Sequence, residues 1–100
     1  MAQPDEIIHQ SMRLKIMSVL NALPMGEALE FKRLKGVAQA TDGNLGAHLT
    51  TLERAGYVEI EKDFVGKRPR TRIRISGKGR HAFERHLRYL RNILETSERS

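Results

Sequence analysis

The spacing of apolar residues changes twice along this chain, and those two changes constrain the fold more than any other feature. Up to Gly56 apolar side chains recur every three or four residues, from Val58 to Ile75 they alternate with charged ones, and from Phe83 they return to three and four. A period near 3.6 places side chains on one face of a helix and a period of 2 places them on one face of a strand. Helices must therefore flank a short run of sheet. With 100 residues and 39% hydrophobic content, there is material for one modest core. The expected class is mainly α with a small antiparallel β-hairpin (α+β), as a single domain over 1–100.

The acids of Asp5-Glu6-Ile7-Ile8 suit a helix N-terminus, and Met12, Leu14, Ile16, Met17, Val19, Leu20 and Leu23 follow before Pro24. This predicts a first helix over about 5–23, with His9 as the candidate break. Its apolar residues cover more than one face, which asks for a second burial partner. Glu27 to Glu30 reads as a short extended piece. Phe31, Leu34, Val37 and Ala38 make the stripe of a second helix ending near Gln39, with Lys32, Arg33 and Lys35 on its other side. Thr41 is a good N-cap for a third helix beginning at Asp42, whose stripe is Leu45, Leu49 and Leu52 and which Gly56 can end in the left-handed conformation. Two helices joined by about three residues form a helix-turn-helix unit, here over about 31–55.

Val58 and Ile60 alternate with Glu59 and Glu61, and Ile73 and Ile75 with Arg72 and Arg74, so two strands are expected. The segment between them, Val65-Gly66-Lys67-Arg68-Pro69-Arg70, is rich in turn formers and suits a hairpin tip. A hairpin over about 57–76 after a helix-turn-helix is a wing. Ser76 then caps a last helix over about 77–95, striped by Phe83, Leu87, Leu90 and Leu94 with Ala82, Tyr89 and Ile93 alongside, and the tail from Thr96 is expected to fray.

The net charge of +6 is unevenly placed. Between Lys62 and Arg80 stand eight basic residues (Lys62, Lys67, Arg68, Arg70, Arg72, Arg74, Lys78, Arg80) against one acid, Asp63, while the rest of the chain holds ten basic and eleven acidic groups. Arg72 and Arg74 share one strand face, and Lys67, Arg68 and Arg70 crowd the tip. Like charges so close repel, and phosphates would neutralise them. A charged edge strand guarded against aggregation is the blander reading, and Pro69 suits either.

With Leu45, Leu49 and Leu52 turned inward, the third helix turns Asn44, Ala47, Thr50, Thr51 and Arg54 outward and leaves His48 on the flank. That surface is small and polar near its N-terminal end, as the major groove requires. Asn can pair bidentately with adenine, Thr offers a hydroxyl and a methyl group, and Arg54 can reach phosphate. The candidate DNA-contacting residues are Thr41, Asp42, Gly43, Asn44, Ala47, His48, Thr50, Thr51 and Arg54 on the helix, with Lys67, Arg68, Arg70, Arg72 and Arg74 on the hairpin. Double-stranded DNA is the expected partner.

Other chemistries find little support. The chain has no cysteine, which removes disulfides, thiolate metal sites and cysteine nucleophiles. His9 and His48 are isolated, and His81 and His86 lie roughly 140° apart around a helix. Surface or interface roles are expected for them, and no metal or cofactor. Glu59 and Glu61 are expected to face solvent or meet nearby arginines. No nucleophile motif or phosphate loop occurs, so an enzyme is not expected. No stretch approaches the ~20 apolar residues of a membrane span, and Met1 to Asp5 lacks the features of a secretion signal. A cytoplasmic, nucleoid-associated protein is expected.

The run Thr41-Asp42-Gly43-Asn44-Leu45, continuing through His48-Leu49, Leu52-Glu53 and Ala55-Gly56-Tyr57-Val58, resembles the small prokaryotic winged helix-turn-helix regulators related to the MarR and ArsR groups. The likeness extends to Ile8-His9 and Arg13-Leu14-Ile16-Met17, to Phe31-Leu34-Lys35, and to Arg70-Thr71 followed by Ser76, Gly79-Arg80 and Phe83. The resemblance implies a homodimer whose N- and C-terminal helices pack across a two-fold axis, with two recognition helices and two wings on one duplex. It also implies a cleft in which a small-molecule effector could sit. Gly46 departs from the pattern, where Ser is expected in relatives. A winged-helix module that binds protein or RNA without reading DNA sequence is the alternative function.

Overall fold

The computed structural model describes residues 3–99, with the side chains of 98 and 99 excepted. Residues 1, 2 and 100 of the expected domain, and with them the first residues of the segment read for a secretion signal, lie outside the described residues. The elements are α1 (Ser11–Asn21), β1 (Leu29–Glu30), α2 (Phe31–Ala38), α3 (Asp42–Arg54), β2 (Val58–Val65), β3 (Arg68–Ile75) and α4 (Gly77–Arg99). Among the described residues, four helices and a three-stranded antiparallel sheet of order β1-β3-β2 make up the α+β class expected, with the short extended piece before α2 serving as one of the two outer strands.

The first helix is shorter than its periodicity suggests. Residues 6–9 form a turn in which the His9 N–H bonds to the Asp5 carbonyl at 2.9 Å, and α1 proper starts after Gln10, whose side chain accepts from the Arg13 N–H. Ile16, Met17 and Leu20 are buried, while Met12, Leu14, Val19 and Leu23 are half-buried against the same core. The wide apolar surface of this helix is thus largely used within the chain. In α2, Val37 does not join the stripe: it is 52% exposed, while Leu34 and Ala38 are buried. Only eight residues long, α2 has room to bury little more than one narrow edge.

Chain reversals carry their own chemistry. Gln39 takes a left-handed conformation (φ 55°) to end α2, and the Thr41 hydroxyl caps α3 by accepting from the Asn44 N–H at 3.2 Å. At the far end Gly56 is left-handed (φ 80°). Its N–H bonds to the Glu53 carbonyl, and the next N–H, that of Tyr57, bonds to Leu52, both at 2.9 Å. This is a Schellman stop, which satisfies carbonyls that would otherwise be orphaned. The hairpin turns on Gly66-Lys67 with positive φ at Gly66 alone, the arrangement of a type II′ turn.

The last helix is longer than expected. Ser76 accepts from the Gly79 N–H at 2.9 Å to start it, and α4 continues through Thr96, whose hydroxyl bonds the Asn92 carbonyl at 2.8 Å, to Arg99. At 1.5 Å per residue, its 23 residues reach roughly 34 Å. Gly79, Ala82, Phe83 and His86 are buried, whereas Ile93 (45%) and Leu94 (62%) extend the same stripe into solvent. Arg80 joins this helix to α1. Its guanidinium donates to the Asn21 carbonyl at 3.0 Å and the Leu23 carbonyl at 2.9 Å, capping the C-terminal end of α1.

Candidate nucleic-acid interface

Leu45, Leu49 and Leu52 anchor α3 in the core, and that anchoring decides what its other side presents. Thr41, Asp42, Gly43, Asn44, Ala47, Thr50 and Arg54 are exposed, and His48 and Thr51 are half-buried. The two threonine hydroxyls donate back to helix carbonyls, Thr50 to Gly46 at 3.0 Å and Thr51 to Ala47 at 3.3 Å, which leaves their methyl groups and oxygen lone pairs available. Asp42 is held by Lys35 at 2.7 Å across the turn between α2 and α3. His48 stands 3.4 Å from the Arg13 guanidinium. Burial first, and then that positive charge, lower its imidazole below 6.5, so at neutral pH it offers a neutral ring rather than a cation.

The hairpin sorts its charges by strand face. Register sets Glu59 opposite Arg74, Glu61 opposite Arg72 and Asp63 opposite Arg70, while Val58, Ile60, Ile73 and Ile75 line the core face. Arg70 forks Asp63 with bonds of 2.9 and 2.6 Å. That fork holds the Asp63 carboxyl below its usual 3.8, burial opposing it and the charges of Arg70 and Arg72 adding to it. Arg72 donates to Glu61 at 3.0 Å and to Asp63 at 3.3 Å. Arg74 donates to the Gly26 carbonyl at 2.8 Å and lies 3.6 Å from Glu61.

These contacts correct the reading in which the arginine cluster needs phosphates to relieve its repulsion. Carboxylates across the ladder already do so for Arg70, Arg72 and Arg74. Arg80, counted with the patch, is committed to the end of α1. Of the patch, Lys62, Lys67, Arg68 and Lys78 are exposed and in no ion pair among the described residues, and the first three of these stand on the hairpin. Alternation of Glu59, Glu61 and Asp63 was the available signal, once the two-residue turn is used to set the register.

His86 is a further correction. It is not a surface residue of the chain but 2% exposed, with its Nδ1 accepting from the Asp5 N–H at 3.1 Å and its ring stacked on Tyr89. It lines a groove of about 850 Å³ between the N-terminal segment and α4, with Arg85, Arg88 and Arg91 at its walls. Among the described residues no cluster of three or more His, Cys, Asp or Glu side chains is placed to hold a metal, and no helix is long and apolar enough to cross a membrane.

A helix-turn-helix with a β-hairpin behind it and a polar face on its second helix defines a winged-helix protein. The chain belongs to the winged helix DNA-binding domain family, which matches residues 12–94. It is 40% identical over 93 residues to an uncharacterized protein of Methanocaldococcus jannaschii, covering 93% of this chain and 95% of that one. Among solved structures it is similar to a transcriptional regulator homologue from Pyrococcus horikoshii (TM-score 0.82, 30% identity, 92% of this chain and 88% of the other). It shares its fold with NadR, solved in complex with 4-hydroxyphenylacetate (TM-score 0.68, 23% identity, 93% of this chain and 66% of the other).

Proposed function

We propose that this chain is a homodimeric transcriptional regulator that reads double-stranded DNA by sequence, with α3 in the major groove and the hairpin on the backbone or in the minor groove. The observation that carries this reading is the division of α3 into a buried leucine face and an exposed face of Asn44, Ala47, Thr50 and Arg54. Asn44 and Thr50 would meet base edges, with Thr51 at their side, while Arg54, Lys67 and Arg68 would meet phosphates. Arg70, Arg72 and Arg74 brace the hairpin and reach DNA only by leaving their carboxylates. Reading of this kind is regulatory, and no catalytic step is assigned to the chain.

The dimer rests on α4, where Ile93 and Leu94 continue a buried stripe beyond the body of the protomer. Leu94→Glu is expected to leave a monomer of 11.4 kDa where the wild-type chain sediments at twice that mass. Two reading heads on a two-fold axis fit a pseudo-palindromic site with half-sites about 10 bp apart, or a multiple of that. We assign a small-molecule effector to the groove beside α4, whose three arginines suit a carboxylate of the kind in the NadR complex.

Selection of bound sequences from a random duplex pool, followed by salt titration of the winner, tests the main reading. One enriched motif, with base preference at one position lost in Asn44→Ala, is the expected result. Binding without enrichment would reduce the protein to a non-specific coat. Capture of RNA or a protein in place of duplex would make it an interaction module.

A further inference from the structure

The hairpin tip presents an apolar pair where turn chemistry ordinarily places polar residues. Residues 64–69 are all exposed, and within that run Phe64 is 69% and Val65 55% exposed. Isolated apolar side chains on a surface are common, but two in succession at the protruding end of a ribbon are not. Phe64 stands opposite Pro69 in the register, on the face that carries Val58, Ile60, Ile73 and Ile75 nearer the body. That face therefore continues past the core and ends on an uncovered aromatic ring.

The surroundings decide what would cover it. Lys62, Lys67 and Arg68 are exposed and in no ion pair among the described residues, while of the acids around them Asp63 and Glu61 are held by Arg70 and Arg72 and Glu30 lies beside Arg70. A polyanion with an apolar interior complements such a tip better than a protein surface of mixed charge does. The tip is also stiff. The Arg70–Asp63 fork closes the ladder one residue from Phe64, Pro69 fixes its own φ, and the turn has only two residues. A side chain that must push stacked bases apart needs such a support, because a loose tip would fold away instead.

We propose that Phe64 is a wedge: resting on the DNA-binding reading above, it enters the minor groove of the bound duplex, partly unstacks a base step and bends the DNA, with Lys62, Lys67 and Arg68 on the flanking phosphates. Apolar wedges of this kind kink duplexes by opening one step while neighbouring cations hold the backbone. The wing then contributes shape selection, since flexible pyrimidine–purine steps open most cheaply. Sequence preference would appear at base pairs that α3 never touches.

The chain has no tryptophan, so Phe64→Trp supplies a single reporter at the tip. The probe is the duplex selected from the random pool, labelled at both ends for energy transfer, with binding followed separately by its anisotropy. Several-fold quenching of the tryptophan at saturation, together with shortening of the end-to-end distance, is the expected result. Phe64→Ala should bind about tenfold more weakly with the same salt slope and leave the duplex straight. Its melting temperature should equal that of the wild type, because the removed ring is mostly in solvent.

Tryptophan emission unchanged at saturating duplex, or a bend that survives Phe64→Ala, overturns the wedge while leaving DNA binding intact. A blue shift that grows with protein concentration in the absence of DNA assigns the tip to contact between copies and overturns it too. Failure of any duplex to raise the anisotropy removes the parent reading, and the wedge with it.

Discussion

The phenol of Tyr57 donates a 2.7 Å hydrogen bond to Oδ2 of Asp5, 52 positions earlier in the chain. Oδ1 of the same carboxylate accepts from the N–H groups of Ile7 at 2.8 Å and Ile8 at 2.9 Å, and the Asp5 N–H meets His86. One residue thus connects the N-terminal segment, the root of the hairpin and α4. Burial alone would raise the Asp5 carboxyl, but the bonds from Tyr57, Ile8 and Ile7 and the charge of His86 outweigh it and hold it below 3.8. Tyr57 is pushed up to about 12 by burial, by its bond to Asp5 and by the Asp5 charge, against a weaker pull from Arg85.

Tyr57→Phe should cost ~1–2 kcal/mol of stability, the usual worth of a bond to a charged acceptor that is not fully buried. A depressed carboxyl contributes stability that is present above its unfolded value of 3.8 and is lost as pH falls through the lower folded one. The raised phenol contributes stability that is present below 10 and is lost as pH climbs toward about 12. In urea titrations the deficit of Tyr57→Phe should therefore stay constant from pH 5 to 8 and shrink at both extremes. A deficit independent of pH throughout would contradict this coupling.

His86 gives a different window. Burial pushes its imidazole below 6.5, the Asp5 carboxylate pulls it back in part, and His9 adds to the fall. Because the unfolded chain takes up the proton first, this contribution is full above 6.5 and declines as pH drops toward the folded value. His86→Gln keeps an acceptor for the Asp5 N–H and removes the titration. Its urea midpoint should change less between pH 7 and 5 than that of the wild type, and parallel curves would rule the assignment out.

Two glycines in helices should respond oppositely to alanine. A Cβ on Gly79 would collide with the Tyr57 carbonyl oxygen and come within 2.9 Å of its carbon and 3.1 Å of Ile75 Cγ1, whereas one on Gly46 meets nothing within 4 Å. Gly79→Ala should destabilise by ~2–4 kcal/mol, because backbone must move to admit the methyl group. Gly46→Ala should stabilise by ~0.5–1 kcal/mol through helix propensity. Thermal melts of the two variants side by side decide this.

Ion pairing on the hairpin predicts a gain from losing an acid. Asp63→Asn releases Arg70 and leaves Arg72 to Glu61, so affinity for duplex at low salt should rise and the salt dependence should steepen. Lys67→Ala should weaken binding to every sequence and lower the salt slope by ~0.9, the value of one phosphate contact. If Asp63→Asn leaves both quantities unchanged, Arg70 serves the ribbon alone.

Much of this architecture was legible because it rests on local chemistry. Thr41, Gly56 and Ser76 mark ends through hydrogen bonds to near neighbours, and Leu45, Leu49 and Leu52 repeat at helical spacing. What escaped depends on distance along the chain or on exposure. The clamp of Arg80 on Asn21 and Leu23, the tie between Asp5 and Tyr57, and the burial of His86 bring together residues more than fifty positions apart. The exposure of Val37 follows from how far α2 sinks into the core, which its own periodicity does not encode. At the candidate site, the exposure of one α3 face was readable from helical angles, whereas the pairing of Arg70, Arg72 and Arg74 required the strand register.

At the root of the hairpin, Ser76 donates its hydroxyl to the Gly56 carbonyl at 2.6 Å and its N–H to the Tyr57 carbonyl at 3.0 Å, and Gly79 lies against that second carbonyl with no room for a methyl group. The exit of α3 and the entry of α4 are bolted at one joint without slack. Torque applied along the shaft of α4 then arrives at α3 and at the base of the ribbon together, as a crank turns whatever is keyed to it. In the proposed dimer, signals delivered to the far end of that shaft would be felt as a change of pitch between reading heads rather than as softening within either one.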